Sequence, residues 1–187
     1  MQFDIKLEGI EEALRRVNPQ PVLAAARRSL RETASAARSA ASNEIRQRYN
    51  IAKKHVDKQL SKHIKPSALT ADITAKPAER TATLPITLFR VKKPSARKKY
   101  IRVQVIRGGP WYELKRAFFA RMPSGYTGVF ERVGRARYPI REVRTIDVPL
   151  MFVQRNVRQR TIAKAVEKWS KDFPQRLDWI LKGRQRA

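Results

Sequence analysis

Five cations crowd the eight residues "KKPSARKK": Lys92, Lys93, Arg97, Lys98 and Lys99, set around Pro94 and Ser95. A loop tip with that charge suits nucleic-acid backbone, because a phosphate rewards positive charge without asking for base readout. The plain alternative is a solvated loop. Arg27, Arg31 and Arg38 recur at helical spacing and form a second basic strip. That strip is either a solvated helix face or one turned toward phosphate or a partner.

Other chemistries lack their residues. No phosphate-binding glycine loop is present, since "RGGPW" has neither the spacing nor the lysine. No nucleophile elbow occurs, and the few acidic residues are too scattered for a nuclease-like carboxylate cluster. Without cysteine, thiolate metal sites and disulfides are excluded, and a reducing compartment is allowed. His55 and His63 stand eight apart with no third ligand type nearby, so neither a metal nor a cofactor is expected. An enzyme is not expected. Zinc-finger and RNA-recognition signatures are missing too, so any nucleic acid would be held by its backbone, with affinity that falls steeply with salt.

The charge is the dominant fact. The 187 residues carry 42 Lys+Arg against 16 Asp+Glu, a formal charge of +26. Such a chain repels itself unless anions sit nearby: nucleic acid, an acidic protein surface or anionic lipid. The excess is spread along the sequence. Residues 21–65 hold 11 basic groups against 3 acidic, 66–107 hold 10 against 2, and 150–187 hold 10 against 3. That is the pattern of a basic body, not of a neutral domain with a basic tail. No apolar run reaches membrane-spanning length, and "MQFDIKLEGI" lacks a signal pattern. The expected home is cytoplasm, or a particle assembled there.

These residues need elements to hold them. "QFDIKL" alternates Phe3, Ile5 and Leu7 with polar residues, as a half-buried strand does, and Gly9 ends it. A short helix is expected over 10–17, and a long one from Pro19 to about Tyr49. The long helix is alanine-rich, with Leu23, Ala26, Leu30, Ala34, Ala37, Ala41 and Ile45 in one stripe. Residues 51–65 predict a shorter basic helix. The period then changes to 2, and strands are expected at about 69–76, 83–91 and 100–107. Pro85 makes the second an edge strand or a late starter. "AFFARMPSGYTGVFERV" reads as strand, turn at Gly125, strand. A last helix is expected over about 149–171, with Val153, Val157, Ala165 and Trp169 on its apolar face. Pro174 should break or kink it, with a further short amphipathic turn beyond. The expected class is α+β: an N-terminal long helix, a central mainly antiparallel sheet and a C-terminal amphipathic helix. The parts would be 1–65 mainly helical, 66–148 β-rich and 149–187 helical, all in one domain.

"RARYPIREVRTIDVPLMF" (135–152) places four arginines, Arg135, Arg137, Arg141 and Arg144, within ten residues. Its prolines distinguish it more than its charge does. Pro139 biases Tyr138 to an extended conformation. Pro149 suits a first helical turn, and Asp147 suits the helix N-terminus. Tyr138, Pro139, Asp147 and Pro149 therefore read as a structural junction.

The order of these features resembles the minor tail protein Z family of lambda-like phages and prophages, the tail completion proteins. The sharpest stretch is Ala117 to Phe152: the aromatic hairpin ending "VFER", the Arg-Tyr-Pro-Ile step at 137–140, and Val148-Pro149 opening the last helix. The resemblance implies a virion structural protein with no catalytic residues. It would act at the head-proximal end of a long non-contractile tail, joining tail to head around DNA. It also implies a ring of copies, six-fold by the symmetry of the tail. Neighbours would be tail terminator and head-joining proteins, with DNA backbone close and no membrane. Assembly would take place in the host cytoplasm. Two other classes compete: a free, sequence-nonspecific nucleic-acid-binding protein, and a peripheral membrane protein using its basic helices. The second is disfavoured because those helices lack a large apolar face.

Overall fold

A computed structural model describes residues 2–5, 19–77, 83–95, 97 and 99–184. The helix expected at 10–17 lies outside them. The chain forms two compact units. The first comprises Met1–Glu44, Leu60–Lys76 and Phe152–Ala187; the second comprises Ile45–Gln59 and Pro77–Met151. The α+β class is borne out, with a long helix near each end and antiparallel pairing in every sheet. The strands divide among four small sheets.

In the first unit, β1 (Gln2–Ile5), β2 (Leu60–Lys65) and β3 (Thr70–Ala75) form a sheet with β3 in the middle. Ala71, Ile73 and Ala75 alternate into the core, as a period of two requires. Residues 60–65 correct the expected basic helix over 51–65. Only α2 (Lys53–Gln59) is helical, and the rest pairs with β3 in the register Leu60↔Ala75 to Lys65↔Thr70. A hydroxyl pair, Ser61 and Thr74 at 2.7 Å, closes that ladder. Lys62, His63 and Lys65 are compatible with either element, so the partner strand decides.

Helix α1 (Pro19–Arg48) is the main apolar element of the first unit. Val22, Ala25, Ala26, Leu30, Ala34, Ala37 and Ala41 are buried, so the predicted stripe holds apart from Leu23, which is half-buried. Two side chains tie β2 to α1. Arg38 Nε donates to the Leu60 carbonyl at 2.9 Å, and Lys62 Nζ donates to Ser35 Oγ at 2.6 Å. Helix α4 (Arg155–Arg184) buries Val157, Thr161, Ala165 and Asp172. It runs antiparallel to α1, with Arg160 on Glu44 at 3.0 Å and Arg176 on Glu32 at 2.5 Å. The sequence placed a break or kink at Pro174, yet Pro174 lies inside this helix. It has no N–H for the Ser170 carbonyl, but both residues are exposed, so water can satisfy that carbonyl.

The second unit carries the other three sheets. Strands β5 (Arg90–Lys92), β6 (Ile101–Gln104) and β7 (Tyr112–Leu114) form one. Strands β8 (Ala117–Arg121), β9 (Thr127–Arg132) and β10 (Ile140–Glu142) form the next. Strands β4 (Thr83–Pro85) and β11 (Arg144–Ile146) pair alone. The single strand expected over 83–91 is therefore split. After Pro85 the chain takes a 3-10 turn over Ile86–Leu88 before β5 begins. Val143 carries the chain from one sheet to the next: its N–H donates to the Val129 carbonyl at 2.8 Å, and its carbonyl accepts from Ile86 N–H at 3.0 Å. Arg144 fastens the same corner, donating to the Thr83 carbonyl at 2.9 Å and pairing with Glu142 at 2.7 Å.

The expected hairpin is present. Gly125 turns it at φ 81, a backbone conformation that glycine adopts freely. Tyr126 packs edge-on to Phe130 with ring centroids 6.5 Å apart. Gly128 lies beneath both rings, where a Cβ would come within 2.9 Å of each. Helix α3 (Val148–Phe152) follows β11. Asp147 caps it, with Oδ1 accepting the Leu150 N–H at 3.2 Å. The last helical region is thus two helices, α3 and α4, and not the one expected from 149.

Two stability predictions follow from these contacts. Pro174→Ala restores a hydrogen bond inside an exposed helix, and thermal unfolding should show a gain of about 1–3 kcal/mol; a loss would mean the proline fits a bend that the helix needs. Gly128→Ala should lose about 1–3 kcal/mol by driving a methyl into the Tyr126–Phe130 pair. An unchanged midpoint in denaturant would show that the rings yield at no cost.

Candidate nucleic-acid interface

The β5-β6-β7 sheet has two unlike faces. The register Arg90↔Gln104, Val91↔Val103 and Lys92↔Arg102 sorts them. Ile101 and Val103 are buried on one side. Arg90, Lys92, Arg102 and Gln104 share the other, because residues two apart in a strand point the same way.

Trp111 lies on that polar face. Lys92 Nζ stands 4.7 Å from its ring centroid, the Arg90 guanidinium 5.4 Å and the Arg102 guanidinium 5.8 Å. The negative face of the indole attracts each cation, worth about 0.5–1 kcal/mol where exposed. The three cations repel one another by a few tenths of a kcal/mol per pair even in water. One ring does not neutralise three charges, so the face keeps a positive potential. Gln104 orders the cluster from below. Its Nε2 donates to the Gly109 carbonyl at 2.7 Å, and Asn50 Nδ2 donates to its carbonyl at 3.0 Å.

The pattern continues on the β8-β9 hairpin. Lys93 Nζ stands 5.7 Å from the Phe119 ring, and the Arg132 guanidinium 5.0 Å from Phe118. Both phenylalanines are half-buried, each with a cation over its ring. Phe118 and Phe119 are neighbours in β8 and point to opposite faces, so these are two separate cation–ring pairs. A cation beside an aromatic ring can bind a polyanion by charge and offer a π surface to bases.

The structure divides the residues singled out in the sequence. Lys92 joins the cluster at Trp111, and Lys93 lies over Phe119 instead. Arg97 and Lys99 are exposed in the connection between β5 and β6, and Lys98 lies outside the described residues. Arg27, Arg31 and Arg38 belong to the first unit and are not part of this sheet. Arg27 and Arg31 are exposed, whereas Arg38 is engaged with the Leu60 carbonyl. Among the junction residues, Tyr138 is 65% exposed beside Arg137, and its peptide bond to Pro139 is cis. The Pro139 carbonyl accepts the Val133 N–H at 3.1 Å and closes the connection from β9 to β10. Pro149 lies in the first turn of α3 behind the Asp147 cap.

Arg90, Arg102 and Trp111 were not singled out from the sequence. A signal existed: Arg-Val-Lys and Arg-Val-Gln each place polar groups at alternate positions of a strand. What the sequence did not supply was the pairing that puts both strands and Trp111 on one face.

A sequence model of the prophage minor tail protein Z family matches residues 7–186. The chain belongs to that family. It is therefore a structural protein of a phage tail. No curated protein and no solved structure matches it. No helix among the described residues is long and apolar enough to cross a membrane.

The crowding of cations around Trp111 has a measurable consequence. Raising salt from low ionic strength to about 0.5 M should raise the Tm of the wild-type chain by screening that repulsion. The triple variant Arg90→Gln, Lys92→Gln, Arg102→Gln should show a smaller rise. Equal rises would mean that the cluster carries no unrelieved charge.

Proposed function

We propose that this chain completes the phage tail at its head-proximal end and joins it to a DNA-filled head. Copies assemble there as a ring, six-fold to match the tail, against tail terminator and head-joining proteins. Each copy works as one unit over residues 1–187. Assembly takes place in the host cytoplasm, before the finished tail meets the head.

The observation that carries this reading is the cationic-aromatic face around Trp111, held by a member of a tail protein family. A subunit around a DNA conduit must hold a polyanion near its lumen, and a positive face does so without reading sequence. In this reading Lys92, Lys93, Arg97, Lys98 and Lys99 meet DNA backbone together with Arg90 and Arg102. Arg27 and Arg31 form a second strip, with Arg38 at its end. Tyr138, Pro139, Asp147 and Pro149 set the path of the chain between the hairpin and the last helices. No cofactor enters this role.

Three measurements test it. Label on this chain should mark one end of purified tails, and particles lacking it should fail to join heads productively. A monomer that coats DNA along its length and is missing from virions would instead support a free nucleic-acid-binding protein. The glutamine triple variant should also flatten the dependence of log K on log salt by about 2–3, close to 0.9 per lost phosphate contact. An unchanged slope would make the Trp111 face ordinary solvated surface.

A further inference from the structure

Two connections meet at one end of the β8-β9-β10 sheet. The pairs Ala117↔Glu131 and Ile140↔Arg132 bring the turn before β8, formed by Lys115 and Arg116, to the same end as the loop from β9 to β10 at 133–139. Residues 115, 116 and 132–139 are all exposed.

Five cations gather there: Lys115, Arg116, Arg132, Arg135 and Arg137. Their charge has no answer within the sheet. Glu131 is engaged by Arg141 at 2.6 Å, and Glu142 by Arg144 at 2.7 Å. None of the five forms an ion pair with a described residue. Glu113 belongs to the neighbouring sheet, where it pairs with Arg102 across the ladder. Like charges on neighbouring strands repel, so this end favours an anion that bridges them. An aromatic ring completes the cluster. Tyr138 is 65% exposed, and the Arg137 guanidinium lies 5.8 Å from its ring centroid. Val133, at 58%, is the other large apolar side chain that the loop exposes.

These features select the ligand. A stable protein interface takes about 800 Å² from each partner and has a largely apolar centre. Two apolar side chains on a loop tip do not supply that. A phosphate backbone needs only charge, because binding releases its counterions. The ring then distinguishes forms of nucleic acid. In a duplex the bases stack on one another and show only their edges in the grooves, so Tyr138 meets no base face. An unpaired strand offers one.

We propose that this end of the sheet binds single-stranded nucleic acid, with the arginines on phosphates and Tyr138 stacked on an unpaired base. These residues are not those around Trp111, and the inference stands whether or not that face meets DNA.

The test measures anisotropy of the full chain with a labelled oligothymidylate of about fifteen nucleotides, and with a duplex of the same length. Tyr138→Ala should weaken single-strand binding about fivefold or more, and duplex binding by less than about twofold. Tyr138→Phe should keep the wild-type affinity, since the ring and not the hydroxyl stacks. Arg135→Gln with Arg137→Gln should lower the single-strand dependence of log K on log salt by about 1.4, close to 0.7 per lost contact. Circular dichroism should not change, because these side chains are exposed. Equal losses on duplex and single strand, no loss from Tyr138→Ala, or an unchanged salt slope overturns the proposal. So does tighter binding of polyglutamate than of the oligonucleotide, which makes the partner an acidic protein surface. The variant Arg90→Gln, Lys92→Gln, Arg102→Gln is the control, and it should keep the Tyr138-dependent preference for a single strand. If it abolishes that preference, the stacking belongs to Trp111 and this assignment falls.

Discussion

Positive charge that the chain cannot neutralise from within constrains every part of this protein. If all 16 carboxylates found a partner, 26 of the 42 basic residues would remain without one. The carboxylates are used accordingly. Glu32 and Glu44 fasten α1 to α4, Glu131 and Glu142 hold arginines in the hairpin region, and Asp172 and Asp178 serve lysines of their own helix. Most of these pairs are exposed and individually weak. Their value lies in where they place the shortage of negative charge.

Aromatic rings supply part of what carboxylates do not. Trp111, Phe118, Phe119 and Tyr138 each lie beneath a cation. A π face attracts a cation without cancelling its charge. The sheet therefore holds its basic side chains in order while leaving their field directed outward. The opposite side of that sheet buries Ile101 and Val103, so the strand period that builds the core also sorts the charge. Such a face would serve the role proposed above beside DNA, because counterion release favours binding to a polyanion.

The same division marks where sequence reading succeeded. The alanine stripe of α1 and the hairpin around Gly125 were legible, because 3.6-residue and 2-residue periods are properties of a single segment. The β2 strand was not. "LSKHIK" suits a helix or a strand, and only pairing with β3 decides. The loop cations were found because they adjoin in sequence. Arg90, Arg102 and Trp111 were missed because they adjoin only across a ladder. Pro174 read as a break, but a helix held by ion pairs on both sides of that position tolerates one missing bond on a wet face.

By itself the sequence determined the charge, the α+β class, the long helices and the resemblance to a tail protein family. Each depends on composition or on the local order of residues. Tertiary structure alone decided that the described strands would split into four sheets, that cations from two strands would share one indole, and that α4 would bury Val157, Thr161 and Ala165. Those outcomes depend on register and packing between segments distant in sequence, where the free energy is set by the partner and not by the segment.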